Sequence, residues 1–254
     1  MEGVLDNMCG FAGFCEYREA FPGQEQHWLD LARRMARRIS HRGPDSQGAH
    51  YSPHCVLAHA RLAVMDPEHG AQPMSRPIAD QEVTIAYNGE VYNAPELRQE
   101  LESLGYSFET ACDTEVVLAS YLHWGPDCAQ KLNGIFAFAV DDPVNQRTFL
   151  CRDRFGVKPL FYTLQEGKLV FASEIKGLFE FPGVKPVVGR EGLCEVFGLG
   201  PARTPGCGVF AGIRELKPGH IAMFDRLGFR DLPYFQLEAL PHEESYEQTV
   251  SHLR

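Results

Sequence analysis

The chain has 254 residues, 44% of them hydrophobic, which is enough for one large domain, or one domain plus part of another. With 34 acidic against 24 basic residues its formal net charge is −10, which argues against nucleic acid and anionic membrane surfaces as partners. No signal-peptide pattern and no apolar run of membrane-spanning length occurs, and none of the eight cysteines forms a C-x-x-C pair. A reduced, soluble, cytoplasmic protein without structural zinc is expected.

In chain order, "FAGFCEY" (11–17) reads as a first strand. A helix over 27–39 follows, with Trp28, Leu31, Met35 and Ile39 on one face. Its arginines 33, 34, 37 and 38 form the one basic cluster and read as a solvated face. The turn-like "HRGPDSQG" leads to strands within 55–64 and 82–89. Asn93 and Glu96 have capping-box spacing, and with Pro95 and Gly105 they bracket a helix. A second helix is expected from Asp113, read as its capping residue, to Gly125; it is apolar on most sides and therefore buried. Hairpins follow at 134–153, around "DDPVNQ", and at 160–174, around Glu166-Gly167. Hairpins with segregated helices indicate an α+β fold with antiparallel sheets. Beyond about residue 227 the sequence takes on a linker-like character and ends in the start of a helix.

Four stretches carry chemistry, and each also has a plain structural reading. Cys9 is a candidate nucleophile or a small buried hydrophobe, and Gly10 and Gly13 would let a substrate approach the backbone beside it. Asn88-Gly89, at the end of a strand, is a turn or an oxyanion hole built from a side-chain amide and a backbone N–H. Arg61 within "LAHARLAVMD" needs an anionic partner, supplied by a structural ion pair or by a substrate carboxylate. Asp113 is a helix cap or an acceptor for a substrate ammonium. "HRGPD" alone reads as a Pro-containing turn.

Taken together, "MCGFAGF", "HRGPD", "AHARLAVMD", "NGEVYN", "CDTEVVL", "GIFAFAV", "RDRFGVKPLFY" and "FASEIKGL" resemble, in order, the glutaminase domain of glutamine-dependent asparagine synthetases. These are class II (N-terminal-nucleophile) amidotransferases, and the likeness covers about residues 8–227. The resemblance implies a four-layer αββα sandwich. It also implies that Cys9 attacks the amide carbon of L-glutamine, with its own α-amine relaying protons through a thioester. Asn88 and Gly89 would hold the oxyanion. Arg61 and the backbone of Leu62, Ala63, Val64 and Met65 would take the α-carboxylate end, with Glu90 and Asp113 near the α-ammonium. The resemblance implies no cofactor or metal for glutamine hydrolysis. ATP and Mg²⁺ are expected only for a C-terminal synthetase domain that amidates aspartate, and the Ser-Gly-Gly-x-Asp-Ser loop of such a domain is not in this chain.

The expected division is an extension or propeptide at 1–8, a glutaminase domain at 9–227, and a linker plus the first helix of a truncated synthetase domain at 228–254. Met8 is then the true initiator, or residues 1–8 are removed. Two other readings stay open: a class II amidotransferase with a different ammonia acceptor, and a non-catalytic domain binding glutamine or a partner if Cys9 stays blocked. A homodimer is also left open.

Overall fold

Strand alternation in this chain feeds three separate cores, and that fixes the layering. In the computed structural model, which describes residues 8–21, 23–63, 66–200, 202–239 and 241–252, strand β1 (Gly10–Cys15) precedes helix α1 (Glu25–Arg37). Strands β2 (Ser46–Tyr51), β3 (Cys55–Arg61), β4 (Met74–Ile78) and β5 (Gln81–Val91) come next. Helices α2 (Ala94–Ser103), α3 (Asp113–Trp124) and the short α4 (Cys128–Lys131) lead to the hairpin of β6 (Gly134–Asp142) and β7 (Arg147–Arg152). A second hairpin, β8 (Phe161–Gln165) and β9 (Lys168–Ala172), is followed by α5 (Ile175–Leu178) and α6 (Arg190–Leu199). Strands β10 (Ile213–Glu215), β11 (His220–Asp225) and β12 (Gly228–Pro233) precede α7 (Tyr246–His252).

The strands form two antiparallel six-stranded sheets, ordered β10-β8-β9-β1-β3-β2 and β12-β11-β7-β6-β5-β4. On β1, Phe11 and Cys15 point into the core between the sheets, while Ala12 and Phe14 point outward against α1. On β6, Ala137 and Ala139 face the other sheet, and Phe136, Phe138 and Val140 face the layer of α2 and α3. The small inner residues let the sheets approach, and the large outer ones fill the space beneath the helices. The result is the expected α+β sandwich, layered αββα.

Local signals locate most elements. The two central residues of the β8–β9 turn, Glu166 and Gly167, both have positive φ, as a two-residue hairpin requires. Helix α1 buries Leu31, Met35 and the following Ile39 and leaves Arg34, Arg37 and Arg38 in solvent. Helix α3 is buried along most of its length.

Several local expectations are corrected. Asn93 makes no capping bond; its amide donates to Lys131 O (3.0 Å) and its Oδ1 accepts from Asn133 N (2.9 Å), tying α2 to the start of β6. The cap of α3 is Cys112, so Asp113 is the first helical residue and its carboxylate is free for other partners. Residues 228–233, expected as linker, pair with β11 along six residues. Tyr234 OH then donates to Arg152 O (2.9 Å), so the chain stays on the sheet beyond 227. Strands β2 and β4 are edge strands without a clear sequence signature: "SQGAHY" is polar and contains Gly, and "MSRPI" contains a Pro tolerated at an edge. Residues 1–7 of the expected extension lie outside the described residues. No helix among the described residues is long and apolar enough to cross a membrane.

Candidate active site

Pairing of Gly10 with Ala60 brings the start of β1 beside the end of β3, and Cys9 lies at that junction. Its Sγ accepts from Leu62 N (3.3 Å) and donates to Leu62 O (3.5 Å). These are its only hydrogen-bond partners among the described residues, so no side-chain base touches the thiol. Burial pushes the thiol up, while the Leu62 N–H and the charges of Arg61, Lys158 and Arg42 pull it down; the net direction is up. Near neutrality the sulfur therefore keeps its proton until a base removes it.

"HRGPD" is more than a turn. Arg42 Nε donates to Cys9 O (3.0 Å), and Arg42 is itself paired with Glu174 (3.0 Å). Gly43 lies so close to β3 that a Cβ would be 2.2 Å from Ala60 O. Asp45 accepts from Ala63 N (2.8 Å) and donates its own N–H to Arg61 O (3.1 Å). The segment straps the exit of β3 against the cysteine. Gly10 and Gly13 have a different reason from the one expected. A Cβ at Gly10 would meet Arg42 and Ile39, and one at Gly13 would lie 2.6 Å from the Phe171 ring, so both glycines serve internal packing instead of substrate approach.

The second sheet brings Asn88 and Gly89, opposite Ala137 and Phe136. Gly89 admits no side chain, since a Cβ would be 2.5 Å from Ile135 O. Asn88 is only 2% exposed, yet its Nδ2 has no hydrogen-bond partner among the described residues. An unpaired buried amide is costly, so this donor is set aside for something that enters the cavity it lines.

At the other end, Arg61 donates to Asp66 O (2.7 Å) and Pro67 O (2.9 Å), which position its guanidinium at the cavity wall. Asp113 accepts from Tyr87 OH (2.6 Å) and Val91 N (3.0 Å). Burial raises its carboxyl above the usual range against those two bonds, an environment that a substrate ammonium would relieve.

One cavity of about 200 Å³ joins these groups, a volume suited to an amino acid. It gathers Cys9, Arg61, Leu62, Asn88, Gly89, Glu90 and Asp113. Ala63 does not line it; its N–H is taken by Asp45. Val64 and Met65 lie outside the described residues. Lys158, Gln72 and Thr114 also line the cavity and carried no sequence signal of their own. Gln72 is fixed by accepting from Tyr87 N (2.7 Å) and donating to Thr114 Oγ1 (3.4 Å).

Behind the site, fully buried His59 places Nε2 2.9 Å from Tyr87 O, linking the two sheets. Burial pushes its pKa down to about 4, so near neutrality the ring is neutral and Nε2–H donates. An unfolded histidine protonates near 6.5, so between about 6.5 and 4 the unfolded chain binds the extra proton. The contribution is complete above about 6.5 and is lost as pH falls to about 4, amounting to about 3 kcal/mol. Urea midpoints measured at pH 7 and pH 4.5 should fall less in His59→Gln than in the parent. Equal falls would exonerate this ring.

Asn88-Gly89, expected at a strand end, lies inside β5, which pairs with β6 as far as Val91, so the pair makes no turn. Two facing antiparallel sheets between helix layers, with a cysteine entering one sheet and this Asn-Gly pair within a strand of the other, define an amidotransferase of the N-terminal-nucleophile fold. The family model for a glutamine amidotransferase domain matches residues 8–235, and the chain belongs to that family. It is 44% identical over 247 residues to asparagine synthetase [glutamine-hydrolyzing] 3 of Bacillus subtilis, covering 97% of this chain and 40% of that protein. With asparagine synthetase [glutamine-hydrolyzing] 1 of the same organism it shares 42% over 171 residues, 67% of this chain and 26% of that one. The chain thus spans well under half the length of these relatives. Among solved structures, the glutamine phosphoribosylpyrophosphate amidotransferase of B. subtilis has the same fold, with TM-score 0.64 and 18% identity. That match covers 90% of this chain and 50% of the other.

Proposed function

We propose that this chain hydrolyses L-glutamine to glutamate and ammonia at Cys9, as the glutaminase half of a glutamine-dependent asparagine synthase. The observation that carries the reading is the buried, unpartnered Asn88 amide beside side-chain-free Gly89, in the same cavity as Cys9. In this reading the α-amine of a Cys9 N-terminus takes the thiol proton, because no side chain among the described residues touches the thiol. Sulfur attacks the amide carbon, and the oxyanion is held by Asn88 Nδ2 and Gly89 N–H. The protonated amine returns its proton to the departing ammonia, leaving a thioester. Water, activated by the same amine, cleaves the thioester, and glutamate leaves. Arg61 takes the α-carboxylate by paired hydrogen bonds, and Asp113 with Glu90 faces the α-ammonium.

The ammonia acceptor is aspartate in this reading, amidated with ATP and Mg²⁺ by a synthetase domain such as the asparagine synthetase relatives imply. No cofactor enters the glutaminase step, and the reaction belongs to the cytoplasm. A Cys9 that remains acylated would instead leave a glutamine- or partner-binding domain.

The test is hydrolysis of L-glutamine without ATP by protein beginning at Cys9. Arg61→Lys should act chiefly through KM, since lysine keeps the charge but loses the planar fork. An unchanged KM with kcat abolished would reassign Arg61, and no hydrolysis by the parent would overturn the proposal.

A further inference from the structure

The "RDRFGVK" loop builds a rigid support for one lysine. Asp153 accepts from the backbone N–H groups of Phe155 (3.0 Å), Val157 (3.0 Å) and Lys158 (2.9 Å). Arg152 spans the loop from the other side, donating to Gly156 O (2.7 Å) and Lys158 O (2.7 Å). Gly156 turns the chain at φ +67°. Lys158 leaves this frame only 8% exposed and lines the same cavity as Cys9. Its Nζ donates to Met8 Sδ (2.9 Å), directly beside the Cys9 backbone, and no carboxylate lies within ion-pairing distance of it among the described residues.

The neighbouring charges are otherwise engaged. From the turn after α1, Arg42 is paired with Glu174, which precedes α5. Arg61 of β3 reaches loop carbonyls, and Asp113 of α3 accepts from Tyr87 of β5. The Asp153 carboxylate accepts from loop N–H groups and Glu90 of β5 is exposed; neither is within salt-bridge distance of Lys158, although both favour its charged form. Among the described residues Lys158 is therefore a cation without a salt-bridge partner, in the cavity of Cys9 and in contact with the side chain of Met8, the residue whose loss would free the Cys9 α-amine. A second positive charge there is disfavoured.

We propose that Lys158 is a positioning residue of the reaction, its charge keeping the Cys9 α-amine in the neutral, proton-accepting form near neutrality. This rests on the glutaminase reading above. A unit charge within several ångströms of an amine, at an effective dielectric of about 20–40, lowers its pKa by about one unit or more. Burial and Arg42 hold Lys158 itself below the ordinary lysine range.

The experiment uses protein with a verified Cys9 N-terminus and compares the parent with Lys158→Met and Lys158→Arg. In Lys158→Met the acid limb of the kcat/KM profile should move up by about one unit, a loss of about tenfold at pH 6.5 that shrinks toward pH 9. Lys158→Arg should restore the limb. Separately, titration of the Cys9 α-amine by ¹⁵N NMR, without glutamine, should show the same shift. An amine pKa that is the same in the parent and Lys158→Met overturns the proposal. So does a Lys158→Met loss of equal size at every pH. If the parent shows no glutamine hydrolysis, the glutaminase reading fails, and the amine titration still decides the role of Lys158.

Discussion

Protein beginning at Cys9 is expected to hydrolyse glutamine at least ~10²–10⁴ faster than protein that retains Met8, the span a positioned base typically contributes. The thiol is buried and drawn upward by that burial, and its hydrogen-bond partners among the described residues are the backbone N–H and C=O of Leu62. Acylation by Met8 turns the one available base, of ordinary pKa ~7.7–8, into an amide without useful basicity. Met8 also forms part of the wall of the cavity that glutamine would enter in the proposed reaction. N-terminal sequencing paired with glutaminase assays of the two forms measures the difference. Full activity from protein shown to keep Met8 would falsify the N-terminal-nucleophile mechanism here.

Loss of one oxyanion donor is the next largest effect. Asn88→Ala should lower hydrolysis by ~10²–10³ if, as proposed, the buried, unpartnered amide it removes meets the charge that develops in the transition state. Alkylation of Cys9 by iodoacetamide passes through no tetrahedral oxyanion and should change far less. The substitution deletes a donor that has no partner among the described residues, so the fold should tolerate it well. Equal losses in hydrolysis and alkylation would point to a collapsed site and remove the assignment.

How much of this was legible in the chain depends on how local each signal is. Hairpins at 134–153 and 160–174, the amphipathic α1 and the buried α3 are written in periods of 2 and 3.6 and in turn residues, and they stand where the periodicity puts them. Cys9, Arg61, Asn88, Gly89 and Asp113 were identifiable as candidates by residue type and, as a set, by family resemblance. Each retained a structural reading, because chemistry at one residue depends on what stands beside it.

Tertiary structure decided those neighbours. Cys9 meets Leu62 across 53 positions of sequence, and Lys158 reaches Met8 across 150. Such meetings follow from sheet pairing and register, which no local window encodes. The same cause explains the errors. Gly10 and Gly13 looked like room for a substrate, but Arg42, Ile39 and Phe171 fill that space. Asn93 stands at the N-cap of α2 as expected, but the start of β6 is close enough to take its side chain, so the capping bond is not made. Composition and pattern determined the α+β class, most elements and the reactive residue types. Packing of distant strand ends determined that, among the described residues, the thiol has no side-chain base, Asn88 keeps a free donor, and Lys158 shares the cysteine's cavity without a salt-bridge partner.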